Sequence, residues 1–455
     1  MELTDSGFDY SVLSEFRARL IAGGAEHQVF DALLAVCKER GYLKARGRQR
    51  TDATHVLGAV RLLNRLELVA ETLRAALNAL AVAAPDWLRQ QTPPEWFARY
   101  GRRIEEYRLP QGADARQAYA ETVGRDGLQL LAALDAPDAP ATLHQLPAVA
   151  LLRATWSQQY VVDDEPVRLR EPEALLRASE HCASPHEPEA RYGRKRGIEW
   201  VGYKVHLTES CDAEGPHLLT QVETTIAPAP DVAALPVIQA ALAQAALLPA
   251  VQLVDTGYVC GANLVASRTD HQIALVGPMY ADHQWQAKAQ QGFALAHFQI
   301  DWAEQVVTCP QGRQSVRWQP MTTARGRRML HVAFAPADCT PCPVRAQCTR
   351  AKSQARTLTL QPQAEHEAIA AARQRQGTAA FAQEYAARAG IEGTIAQGVR
   401  AFGLRRARYR GLAKTHLQHL ATATAINLDR LLTWLTGVPR TTTRSSRFAA
   451  LHLVA

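Results

Sequence analysis

"EWVGYKVHLTES" (Glu199–Ser210), the turn "CDAEGP" (Cys211–Pro216) and "HLLTQVETTIA" (His217–Ala227) decide the fold class. Both runs alternate apolar and polar residues and favour β-branched and aromatic types. With a Gly/Pro/Asp turn between them, they predict an antiparallel hairpin. Asp231 then stands where it would N-cap a helix through "VIQAALAQAALL" (Val237–Leu248). "AVQLVDTGYV" (Ala250–Val259) follows, an apolar run of strand length ending in Asp255 and a Gly turn. Hairpin, helix and buried strand in succession predict an α/β fold with a mixed sheet.

Upstream, "YSVLSEFRARLI" (Tyr10–Ile21) and "EHQVFDALLAVCKERG" (Glu26–Gly41) carry apolar residues at helical spacing, with Gly41 as a stop. A basic segment, Leu43–Val60, follows, with a strand expected around Thr51–Val56. Residues 58–180 read as a large helical block rich in Ala and Leu. Downstream, short strand-like pieces ("FQIDW", "EQVVTC", "HVAFAP", "RTLTL") alternate with polar turns between Met279 and Gln363, as in a β-rich insertion. Helices resume at "AEHEAIAAARQRQGTAAFAQEYAARAG" and end with "THLQHLATATAINLDRLLTWLTG", where Gly437 is the stop and Pro439 lies just beyond. "RTTTRSSR" (Arg440–Arg447) reads as a loosely ordered tail. The expected divisions are 1–45, an N-terminal helical region suited to DNA binding; 46–278, the first part of a core with the helical block inside it; 279–363; 364–437, the helical remainder of the core; and 438–455, the tail.

The 455 residues allow two or three domains, and 47% hydrophobic with 21% charged residues is ordinary for a water-soluble chain. The formal charge of +7 permits a polyanionic partner, and the bases concentrate at Lys44–Arg50, Arg191–Arg196 and Arg400–Arg410. The most apolar run, Ala234–Val254, is interrupted by Gln and Pro and predicts no membrane span. The polar, acidic start predicts no signal peptide, so a cytoplasmic location is expected. Eight cysteines there do not predict disulfides. Cys37, Cys182, Cys211 and Cys260 read as small buried apolar residues.

Chemistry concentrates in "YAARAGIEGTIAQGVRAFGLRRARYRGLAK" (Tyr385–Lys414), where Glu392 is the one acid among seven bases. Tyr385, Arg388 and Glu392 are spaced i, i+3, i+7 and share a helix face. Tyr and Arg suit phosphate, and Glu is a hard oxygen ligand for magnesium or manganese; a solvated face with an Arg–Glu pair is the plain alternative. The glycines at 390, 393, 398 and 403 weaken helix propensity and suit close backbone approach. Asp255 sits at a strand's carboxyl end, where open α/β sheets place ligand groups, though it equally suits a turn cap. Asp52 in "TDATHV" is a third carboxylate, or the N-cap of the helix continuing through "HVLGAVRLLNRLELV". "TCPQG" (Cys309) and "DCTPCPVRAQCT" (Cys339, Cys342, Cys348) suit a structural zinc ion, or a reduced, metal-free set.

"TDATHV", "VGYKVHLTE", "LVDTGYV" and the long basic motif through "KTHLQHLATATAINLDRL" resemble bacterial insertion-sequence transposases of the DDE type, nearest the group typed by insertion sequence 1182 and related to those typed by insertion sequences 4 and 5. The resemblance runs from about Phe16 to Gly437. It implies a ribonuclease-H-like core in which Asp52, Asp255 and Glu392 hold two Mg²⁺ (or Mn²⁺) ions for cleavage of element ends and strand transfer into target DNA. It implies phosphate contacts from Tyr385, Arg388, Arg400, Arg405, Arg406, Arg408 and Lys414. Double-stranded DNA is the implied partner, with a homodimer or larger assembly on it, near the bacterial nucleoid. A basic residue of the family's signature is expected where Val399 stands. Relatives carry Asp where this chain has Glu187, which keeps Glu187 open as the first acid. A nuclease without strand transfer, or an inactive DNA-binding relative, are the alternative functions.

Overall fold

The hairpin and the apolar run quoted above form the middle of one mixed sheet in the computed structural model, which describes residues 9–60, 63–161, 167–175, 177, 180–195, 197–324 and 326–438. The tail from Pro439 onward and Arg196 lie outside the described residues.

Two helices, α1 (Tyr10–Ala22) and α2 (Gln28–Glu39), lead into β1 (Arg46–Leu57), a longer strand than the expected Thr51–Val56. Asp52 is therefore mid-strand and caps no helix. The helix expected after it begins at α3 (Arg65–Ala83), where Asn64 and Glu67 form a reciprocal capping box. With α4 (Pro85–Gln91), α5 (Pro94–Tyr100), α6 (Ala113–Leu134) and α7 (Pro147–Gln159), α3 builds the helical block. It has its own apolar centre, including Leu73, Leu130, Leu152, Trp156 and Tyr160. The short pair β2 (Tyr160–Val161) and β3 (Arg168–Leu169) closes it.

β4 (Arg191–Lys195), β5 (Ile198–Ser210), β6 (Leu219–Ile226), α8 (Asp231–Gln244), β7 (Pro249–Val254), α9 (Gly261–His271) and β8 (Ala274–Val276) follow. The sheet runs β4-β5-β1-β7-β8, with β6 sharing the outer edge of β5 with β4. β5 pairs antiparallel with β1, β4 and β6, whereas β1, β7 and β8 run parallel. Directly paired residues share a face. Asp52, Thr54 and Val56 thus lie on one side with Leu207, Val205 and Tyr203. Apolar residues there pack against α2 and the C-terminal helices; on the opposite side α8 packs through Leu235, Ile238 and Leu242. Asp231 is the first residue of α8 and makes no cap bond: its carboxylate accepts from Lys204 Nζ at 2.6 Å instead.

Between the sheet and the C-terminal helices come α10 (Trp285–Ala289), β9 (Gln299–Asp301), β10 (Val306–Thr308), β11 (Ser315–Thr322), β12 (Arg328–Phe334), α11 (Pro336–Cys339), α12 (Arg345–Cys348) and β13 (Thr357–Leu360). β11-β12-β13 form an antiparallel sheet around Phe298, Val332, Phe334 and Leu358. The four strand-like pieces read from the sequence correspond to β9, β10, β12 and β13, while β11 was not anticipated. The chain returns through α13 (Gln363–Gln376), α14 (Ala379–Tyr385), α15 (Gly390–Phe402) and α16 (Leu412–Leu435). α15 ends at Gly403, whose φ of 66° is the left-handed C-terminal position that glycine adopts without strain. This mixed α/β arrangement is compatible with a ribonuclease-H-like core.

Candidate active site

Parallel pairing of β1 with β7 matches Thr51 with Val254, which brings Asp52, next on β1, and Asp255, just past the end of β7, near enough to interact electrostatically. Asp255 accepts from Gly257 N at 2.9 Å and caps the short turn Thr256–Tyr258. The capping role read from the sequence is real, and Asp255 nevertheless opens onto a cavity shared with Asp52. Below it, Tyr258 is wholly buried against His206 (2.7 Å), whose imidazole burial pushes down to about 4 and so keeps neutral.

The cavity, of about 1110 Å³, is lined by Asp52, Asp255 and Glu392, by Tyr385, Arg388, Arg400 and Arg405, and by Lys195, Lys204, Asp231, His55 and Trp200 among others. Tyr385, Arg388 and Glu392 are thus brought to one wall, though not by one continuous helix: α14 ends at Tyr385, a 3₁₀ turn spans Ala386–Ala389, and α15 starts at Gly390. Arg388 points between two acids. Its Nη2 donates to Asp52 Oδ2 at 2.5 Å and its Nη1 to Glu392 Oε1 at 2.9 Å. Burial pushes the Asp52 carboxyl above its ordinary pKa; Arg388 and the Ala53 N–H offset this in part, and neighbouring Asp255 adds to it.

A buried ion network docks α15 on the sheet. Glu209 on β5 is fully buried, with Oε1 2.5 Å from Arg50 Nε and Oε2 2.7 Å from Arg430 Nη1; Thr394 Oγ1 also donates to it at 2.5 Å. Arg50 Nη1 donates on to Ala387 O at 2.6 Å. A Cβ at Gly390 would lie 1.9 Å from Arg50 Nη1, so any larger residue there would force Arg50 out of its bonds to Glu209 and Ala387. A Cβ at Gly398 would come to 2.9 Å from Leu404 Cδ2, whereas Gly393 faces open space. Nothing in the spacing of Glu209 marked it; only its acid identity inside an otherwise buried strand was a signal.

Arg405 is held beside the acids. Its Nε donates to Thr54 Oγ1 at 2.8 Å, and its backbone continues the edge of β1 through Leu57 N to Arg405 O at 2.8 Å. Thr54 lies two residues from Asp52 on the same strand face. Arg406, Arg408 and Lys414 do not line this cavity and are exposed elsewhere. Lys195 and Lys204 do; the sequence of Arg191–Gly197 suits a solvated basic loop or a grip on a DNA backbone, and its residues Arg191–Lys195 form β4. Lys204 and His206 at i and i+2 in "YKVH" were the available clue. Glu187 is buried away from the cavity, accepting from Tyr203 Oη at 2.6 Å and from Gly411 N at 3.1 Å.

Cys309, Cys339, Cys342 and Cys348 line a second cavity of about 350 Å³. Three of them pack against the apolar cluster around Phe298 and Phe334, and the Cys348 thiol is pushed up, first by burial. Cys37, Cys182 and Cys211 are buried as expected; Cys260 is partly exposed and caps α9 through Asn263 N. Carboxylates suit a hard divalent cation and thiolates suit zinc. Yet among the described residues no group of three or more His, Cys, Asp or Glu stands ready to hold a metal ion. The expected structural zinc is therefore unsupported, and at the acidic cavity Arg388 takes up the space between Asp52 and Glu392.

Residues 308–432 match a family described as "Transposase DDE domain". The matched part contains Tyr385, Arg388, Glu392 and the four clustered cysteines, while Asp52 and Asp255 precede it. The match supports a DDE transposase, an enzyme of the nuclease/transposase kind that acts on DNA. No curated protein matches the chain. Among the described residues no helix is long and apolar enough to cross a membrane.

Proposed function

We propose that this chain is a DNA transposase that cleaves the ends of a mobile element and joins them to target DNA, with Asp52, Asp255 and Glu392 as its catalytic acids. One observation carries the reading: Asp52 on β1 lies near Asp255, just past the end of the parallel strand β7, and Glu392, within the matched DDE domain, faces the same cavity. Those three carboxylates are the residues that would hold Mg²⁺ or Mn²⁺, which when bound supply an activated oxygen nucleophile and stabilisation of the leaving oxygen.

The chain's own residues do the positioning. Arg400, exposed on the cavity wall, and Arg405, held beside Asp52 by Thr54, meet the phosphates flanking the scissile bond, and Lys195 grips the backbone from the β4–β5 hairpin. These contacts supply affinity without reading sequence. Arg406, Arg408 and Lys414 extend the basic surface outward. Glu187 is left out of the proposed acid set: it accepts from Tyr203 and does not line the cavity. Placement in the group typed by insertion sequence 1182, the divisions at 45, 278, 363 and 437, and assembly as a dimer or larger complex on DNA belong to the same proposal.

The test is Mg²⁺- or Mn²⁺-dependent cleavage and strand transfer with DNA carrying the element's ends. Wild type is expected to cut and join. Asp52→Ala, Asp255→Ala and Glu392→Ala should each lose about 10³-fold or more while still binding DNA. Cleavage retained in Asp52→Ala but lost in Glu187→Ala would move the first acid to Glu187. A folded wild-type protein that binds the ends and never cuts would overturn the enzymatic reading.

A further inference from the structure

The cavity brings together Asp52, Asp255 and Glu392 beside Asp231, yet among the described residues no group of three or more stands as a ready metal site. One cationic side chain stands among them. Arg388 is the only cation hydrogen-bonded to Asp52 and Glu392 among the described contacts, and it reaches both at once. Both Asp52 oxygens already accept one hydrogen bond each, Oδ1 from Ala53 N at 2.8 Å and Oδ2 from the charged Arg388 guanidinium at 2.5 Å. Asp255 spends Oδ1 on Gly257 N. A divalent cation approaching Asp52 must therefore compete with a guanidinium already bonded there.

The bridge is not a bidentate pair. A structural Arg–carboxylate pair commonly uses the bidentate fork, with two parallel N–H donors on one carboxylate. Here the two terminal nitrogens go to different acids, and Nε is buried with no hydrogen-bond partner. The arginines on Glu209 are no more bidentate, but that carboxylate is fully buried with both oxygens held by two arginines and a threonine inside the protein. The Glu392 side chain is 66% exposed, so its end of the bridge is free to swing.

We propose that Arg388 is a releasable counter-ion: in the DNA-free protein it occupies the metal position between Asp52 and Glu392, and a divalent cation enters only as Arg388 leaves Asp52. The freed guanidinium then faces the same cavity as Arg400 and Arg405 and takes a DNA phosphate. Metal entry and phosphate contact become linked, because each favours the released arginine. This rests on the divalent-metal reading of the acids given above.

The measurement is Mn²⁺ binding to the full-length, DNA-free protein, followed by the electron paramagnetic resonance signal of free Mn²⁺. Wild type is compared with Arg388→Gln, Arg388→Lys, Asp52→Asn, Asp255→Asn and the double variant Arg388→Gln/Asp52→Asn, each checked for folding by circular dichroism. Removing the guanidinium is expected to tighten Mn²⁺ binding about tenfold, and adding Asp52→Asn to abolish that gain. Arg388→Lys, which cannot bridge both acids, should fall on the side of Arg388→Gln and serves if the latter does not fold. Mn²⁺ binding that depends on Asp52 and Asp255 but is unchanged or weaker without Arg388 would overturn the counter-ion proposal and leave the metal reading standing. Mn²⁺ binding that ignores every carboxylate variant would remove the metal reading, and the proposal with it.

Discussion

The acidic cavity and the cysteine-lined cavity both gather residues of metal-binding type, and they are built in opposite ways. The acids come from β1, the end of β7 and α15, elements far apart in the chain, and charge organises them: Arg388 spans Asp52 and Glu392, Arg50 and Arg430 hold Glu209, and Lys204 holds Asp231. The cysteines come from a few neighbouring turns, at Cys309 after β10 and at Cys339, Cys342 and Cys348 around α11 and α12. No ion pair organises them, and Cys309, Cys339 and Cys348 pack against the apolar cluster around Phe298 and Phe334. Buried carboxylates must be compensated wherever they sit, so they carry their neighbourhood with them; thiols impose no such demand.

The largest effect that would sharpen this contrast is a split between activity and stability at Asp52. Because burial raises its pKa, the folded protein binds that proton more tightly than the unfolded chain does. Ionisation above the folded pKa therefore costs stability, and the cost vanishes at lower pH. Asp52→Asn should abolish cleavage, about 10³-fold or more, while its melting temperature at neutral pH stays level or rises. A large drop in melting temperature would make Asp52 a structural acid and break the comparison.

Glu209 should behave in the opposite sense. Its removal leaves Arg50 and Arg430 buried beside Thr394 without their carboxylate, at about 3–5 kcal/mol of stability. Urea unfolding of Glu209→Ala tests this, and a loss within about 0.5 kcal/mol would show that the network is not what docks α15. Gly390→Ala, which drives a methyl into Arg50, should be destabilising in the same direction by about 1–3 kcal/mol.

Acid should loosen the sheet before it touches the cysteine region. His206 and His416 are held near 4 and His419 near 3, each by burial, against about 6.5 in the unfolded chain. Their folded pKa values lie below the unfolded one, so the stability they carry is fully present above about pH 6.5 and is lost as pH falls toward 4. Melting curves from pH 7 to 4 should show that decline, and His419→Gln should flatten it. An unchanged slope in that variant would assign the acid sensitivity to other groups.

The smallest effect is expected at the thiols. With no ion bound, Cys342→Ser should change stability by about 1 kcal/mol or less. One equivalent of zinc in the purified protein, lost on Cys342→Ser with a fall in melting temperature, would restore the zinc reading and erase the difference between the cavities.

By itself the sequence determined the elements whose signals are local. Alternation in Glu199–Ser210, apolar spacing in Gln28–Glu39 and the apolar run ending at Asp255 depend on neighbours a few residues away, and each became the strand, helix or strand end that its pattern describes. The long basic motif likewise marked Tyr385, Arg388 and Glu392 as belonging together. Tertiary structure alone decided what depends on pairing across the chain. Asp52 was legible equally as a helix cap until strand register set it beside Asp255, some two hundred residues on. Asp231 suited a cap until Lys204 claimed its carboxylate, and Glu209 carried no pattern at all. Arg388 was readable as a phosphate contact, but not as the bridge between Asp52 and Glu392. Periodicity records which face a side chain takes; its ionic partner is fixed only when distant strands and helices meet, because the energy of a buried charge depends on what lies within a few ångströms and not on what lies next in sequence.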